Sequence, residues 1–145
     1  MPIAVKTIRQ RVATAVDAAT GFSEAKAPLG VFPRDPASVL HLRFAVGCPR
    51  TTTIQGRQRP TEGALCRTEV VVTFAHRIKP KDQVASYDDC LDSEASIIAA
   101  VMADTGTLTE LQLKYESTTE RSVDQAGEWY IGSVAFSSLH TIALS

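Results

Sequence analysis

The sequence is poor in the features that usually announce chemistry. It has no CxxC pair, and its three cysteines, Cys48, Cys66 and Cys90, are an odd number at unrelated spacings. That excludes a metal-binding or redox motif built on paired thiols, so free thiols in a reducing compartment are expected. Aromatic residues make up only 6%. Charge of one sign is also lacking: the net charge is -1, so no whole-molecule field draws in nucleic acid or an anionic membrane. No apolar run approaches the roughly 18 residues that span a bilayer. No apolar h-region follows the N-terminus, so a soluble protein made in the cytoplasm is expected, with no membrane partner. GxSxG is absent, and Gly56 and Gly63 are not followed by Lys-Ser or set between a strand and a helix, as a phosphate loop requires.

What remains is globular. Across 145 residues, 44% are hydrophobic and 21% charged, which suits one domain spanning 1–145 with a real core. Val5, Ile8, Val12, Ala15, Val16 and Ala19 recur at steps of three and four, predicting an amphipathic helix that Gly21 ends. Gly21, Pro28, Gly30, Pro33 and Pro36 predict a loop over 21–38. Alternation predicts strands over Ser38–Val46, Arg67–Ile78, Thr109–Thr118 and Glu128–Leu144, with Asp124–Gly127 as a turn. A second helix is expected over Ser86–Met102, with Ser86 as N-cap and Leu91, Ala95, Ile98, Val101 and Met102 as its buried stripe. The fold class expected is α+β: a mixed or antiparallel four-stranded sheet with two helices on one face and a long hairpin arm over 47–64.

Three groups invite a chemical reading. His41, His76 and His140 fall on different predicted strands with no ligand spacing between any pair, so neither a metal site nor a catalytic histidine is expected. Asp88, Asp89, Asp92 and Glu94 sit in the first turns of the second helix, where negative charge favours the macrodipole. No catalytic residue and no cofactor follow from either group. The arm differs. Arg50, Arg57 and Arg59 face only Glu62 within it, Arg67 follows, and threonines and glutamines fill the rest. Such a segment suits a subunit or partner interface, with Arg50, Thr52, Ile54, Arg57, Arg59 and Arg67 as candidates; a solvated loop and phosphate contacts are the alternatives. No aromatic interleaves the arginines, so a base-stacking groove is not indicated.

The order of elements, the crossover VTFAHRIKPKDQVASYDDCLDSEASI and the closing GEWYIGSVAFSSLHTIAL resemble the tail terminator proteins (tail completion, minor tail protein U-like) of long-tailed bacteriophages and gene transfer agents. The resemblance runs from about Val39 onward and rests most on Pro80-Lys81-Asp82-Gln83 and Gly127-Glu128-Trp129. It implies a virion structural protein and no enzyme. Its copies would form a hexameric ring on the tail tube, end tube polymerisation and meet the head-side connector or stopper protein, with genomic DNA passing transiently through the lumen. A head-closure or connector component of the neck is the neighbouring alternative. A small α+β enzyme using His76 or His140 is the distant one.

Overall fold

A computed structural model of the chain describes residues 2–19, 21–24, 41–54, 63–103, 111–123 and 127–144. Helix α1 (Val5–Ala19) leads to strand β1 (Ser23–Glu24), then β2 (Arg43–Thr53) and β3 (Ala64–Arg77). A 3-10 turn (Pro80–Asp82) enters helix α2 (Gln83–Ala103), and β4 (Leu113–Val123) and β5 (Trp129–Ile142) complete the chain. The sheet order is β1-β2-β3-β5-β4. All neighbours are antiparallel except β1 and β2, which run parallel. The fold is thus α+β with a five-stranded mixed sheet. The strand not expected is β1, a two-residue pairing of Ser23 and Glu24 with Arg43 and Phe44 inside the predicted loop. Both of its residues are exposed, so no alternation marks it. The rest of that loop, from 25, lies outside the described residues.

Alternation in β3 does what it predicts. Thr68, Val70, Val72 and Phe74 are fully buried, and the last three meet Ile8, Val12 and Val16 of α1 and Ile97 and Val101 of α2 in one core. Directly paired residues share a face, so Phe44 and Val46 of β2 and Tyr130, Val134 and Phe136 of β5 join the same layer. Gly132 lies under the Phe74 ring, and a Cβ there would stand 2.6 Å from Phe74 Cζ. The other face carries a smaller cluster of Ala45, Ala75 and Trp129, with Ile131 against it.

Several boundaries move. Of the strand expected over Ser38–Val46, 38–40 lie outside the described residues and β2 begins at Arg43, after a turn in which Leu42 takes a left-handed φ of 57. The base of the predicted arm is sheet. β2 pairs with β3 through Thr53↔Cys66, with a register shift between Gly47 and Arg50. Residues 55–62, with Arg57 and Arg59, lie outside the described residues. β4 extends to Val123, beyond the expected Thr118. Gly127, at φ 71, keeps the conformation expected of the turn into β5, while 124–126 lie outside the described residues.

Helix α2 departs most. It begins at Gln83, so Ser86 is not its N-cap; the buried Ser86 Oγ accepts from the Lys79 N–H instead, at 3.1 Å. Its buried residues are Ser86, Cys90, Glu94, Ile97 and Val101; of the expected stripe Val101 is buried and Ile98 and Met102 pack against the core, while Ala95 is exposed and Leu91 only half-buried. Glu94 is not a macrodipole residue. It is buried and accepts two bonds from the Arg121 guanidinium, at 2.9 and 2.8 Å, tying α2 to β4. These bonds raise the Arg121 pKa further. Replacing Arg121 with alanine should lower the melting temperature more than Glu94→Gln does. The first strands a carboxylate that is 8% exposed, whereas the second removes the charge itself. Arg121 is 48% exposed, which moderates the loss through water.

The three cysteines are free, with Cys66 and Cys90 buried and Cys48 half-buried. Burial first, then Asp89, pushes the Cys90 thiol up to about 11, so it stays protonated. Among the described residues, no helix is long and apolar enough to cross a membrane.

A candidate interface on the open sheet face

The helices cover one face of the sheet. On the other, β2, β3, β5 and β4 frame a depression of about 450 Å³. The register explains who reaches it. Past the shift at Gly47, Arg50 pairs with Glu69 and Thr52 with Arg67, so all four stand on the open face. Thr51 and Thr53 turn to the helix side opposite Thr68 and Cys66. Ala135 and Ser137 of β5 face the same way as Arg50 through their pairing with Val71 and Glu69. Ile54 follows the strand end, held by its N–H to the Leu65 carbonyl at 2.9 Å, and is 45% exposed.

Four of the six residues singled out in the sequence therefore line one site: Arg50, Thr52, Ile54 and Arg67. Arg57 and Arg59 lie outside the described residues. Sequence reasoning missed the far wall, Glu116, Ser117 and Thr119 of β4 with Ser137 of β5. The signal was the nearly continuous polar run Lys114–Ser122, which an edge strand with one wet face can carry.

The lining is polar and internally bonded. The Ser137 hydroxyl donates to Glu116 Oε1 at 2.7 Å, and Thr119 donates to the Ser133 carbonyl at 3.4 Å. Arg50 Nε lies 3.7 Å from Glu69 Oε2, and Lys114 Nζ lies 4.0 Å from Glu116 Oε1. Arg67 is exposed and makes no ion pair among the described residues. Among the described lining residues, Ser137 is the serine with a carboxylate partner, Glu116, and no described histidine lines the depression.

The histidines are elsewhere. His41 and His76 meet at the opposite end of the sheet, with ring centroids 5.0 Å apart, and His41 Nδ1 accepts from the Arg77 N–H at 3.0 Å. Burial, then the charges of His76, Arg77 and Lys79, lower the His41 pKa. His140 lies on the helix side, buried, with both ring nitrogens engaged. Its Nδ1 donates to the Ile3 carbonyl at 3.0 Å, so Nε2 accepts from the Thr68 hydroxyl at 2.5 Å. Thr68 in turn stands 2.9 Å from the Thr51 hydroxyl at the base of the arm. Among the described residues no three His, Cys, Asp or Glu side chains gather as a metal ion would require. Comparison of the sequence with protein-family models and with curated proteins returns no match.

Proposed function

We propose that the chain is a structural subunit of the neck of a long-tailed phage or related particle. Its copies form a ring, six-fold by the family resemblance, that caps the tail tube, ends its polymerisation and joins the head-side connector. Genomic DNA crosses the lumen in transit. The observation carrying this reading is the gathering of Arg50, Thr52, Ile54 and Arg67 in one exposed depression on a sheet face that α1 and α2 leave uncovered. A sheet with helices on one face and a polar, bonded depression on the other is suited to meet a second surface. The lining supplies recognition groups and no nucleophile–base pair, which suits assembly better than turnover.

The test is made on particles. Those assembled without this chain should carry tails of uncontrolled length or unjoined heads, visible by negative stain, and should lose infectivity. Normal tail lengths with full infectivity would sink the proposal.

A further inference from the structure

The outer side of α2 carries a stripe that its own fold leaves unused. Val84, Asp88 and Asp92 recur at steps of four and so share one side of the helix. They are offset by two positions from the buried Ser86, Cys90 and Glu94, which turns them almost directly away from the core. Val84 is 78% exposed, Tyr87 beside it is 37% exposed, and neither aspartate makes an ion pair among the described residues. The depression on the open sheet face offers the converse. Glu69 is answered by Arg50 and Glu116 by Lys114, which leaves Arg67 as the lining charge with no ion pair among the described residues. Ile54 supplies an exposed apolar edge, and the small Ala135 and Ser137 leave room above the sheet.

We propose that this depression receives the Val84–Asp88–Asp92 stripe of α2 from a second copy of the chain. Arg67 and the outer, exposed part of Arg50 meet Asp88 and Asp92, and Ile54 packs on Val84. The spacings agree. Arg50 and Arg67 are diagonal neighbours on adjacent strands, about 7–8 Å apart. Asp88 and Asp92 are separated by about 6 Å along the helix, a difference that long arginine side chains absorb. The incoming helix would make the sheet the middle layer of three, as sheets with helices on both faces are built. Because α2 and the depression lie on opposite sides of the sheet, the contact is heterologous: each copy offers one surface forward and the other behind. Such contacts generate rings when the rotation closes. The inference rests on the ring reading in requiring a second copy of the chain.

Two charge reversals test it. Arg67→Glu and Asp88→Lys should each fold normally by circular dichroism and each weaken self-association about tenfold or more, read by light scattering and zero-length crosslinking. Mixed in equal amounts they should associate again. In an alternating assembly the two reversed side chains face one another with opposite charge, and the remaining contact keeps the original pair of Arg67 and Asp88. Reversals that leave association unchanged, a mixture that restores nothing, or an unmodified chain that stays monomeric at millimolar concentration would each overturn this docking mode. The ring reading is decided separately by tail length. Overgrown tails without the chain, together with charge-insensitive association, would sink the docking mode and keep the ring; normal tails with charge-dependent association would do the opposite.

Discussion

Replacing Phe74 with alanine should remove about 3–5 kcal/mol from the stability of the fold, read as a lower urea midpoint with an unchanged slope. Phe74 is fully buried in the C-terminal part of β3, paired with Phe44 and Gly132 on its two sides. Its ring meets Phe22 edge-on, with centroids 5.5 Å apart, and Tyr130 at 5.8 Å. It also lies on Gly132 of the neighbouring strand, so closely that an added Cβ would stand 2.6 Å from the ring. Truncation therefore leaves a hole lined by Phe22, just ahead of β1, and by Tyr130 and Gly132 of β5, and strands cannot close around it without breaking a ladder of paired residues. The glycine gives a sharper form of the same test. Gly132→Ala should destabilise the normal chain by about 1–3 kcal/mol through overpacking. It should cost much less in a Phe74→Leu background, where the ring is gone. Additive effects of the two substitutions would show that the ring does not rest on residue 132.

The second large effect concerns His140. Alanine there should cost about 1–3 kcal/mol, since the Ile3 carbonyl loses its His140 donor and the Thr68 hydroxyl is left with Thr51 alone. The same residue makes stability depend on pH. Burial lowers its pKa below 6.5, against a smaller opposing effect from the Ile3 carbonyl. The unfolded chain then binds the proton more readily than the folded one. The contribution is fully present above the ordinary histidine range and is lost as pH falls from there through the lowered folded value. His41 is shifted in the same direction, so the comparison must be between the unmodified chain and the variant. Denaturant midpoints measured from neutral to mildly acid pH should fall less steeply for His140→Ala. Parallel curves would remove His140 from the account.

How far these arrangements could be read from the sequence depended on whether the deciding contact was local. The β3 face Val70–Val72–Phe74 and the α1 stripe Ile8–Val12–Val16 were legible because period alone places them, and they lie in the core. The stripe of α2 was legible only in part: Val101 is buried and Ile98 and Met102 pack against the core as expected, but two of its other buried members were missed because they are polar. Ser86 and Glu94 are made tolerable by the Lys79 N–H and by Arg121, partners that hydropathy does not see. In the candidate site, Arg50, Thr52, Ile54 and Arg67 stood out through local charge and composition on the arm. Glu116, Ser117, Thr119 and Ser137 did not, because β5 brings β4 alongside through pairings whose register no local pattern specifies. β1 was beyond reach for another reason: two exposed residues in a parallel pairing leave no pattern at all.

The strand order carries a consequence for how the chain is made. β5 comes last in sequence yet lies between β3 and β4. While a ribosome is still extending the chain, the β2–β3 hairpin has a bare inner edge and β4 has no partner. The unfinished sheet must wait for its middle strand, and the long-range β3–β5 ladder from Ala64↔Ile142 to Arg77↔Trp129 then closes over a large loop, a slow kind of step. Nascent or truncated chains lacking β5 present the Val70–Phe74 segment along an unpaired edge, the kind of surface that draws strands from other copies. Loss of the final segment should thus yield insoluble chains rather than a smaller folded domain.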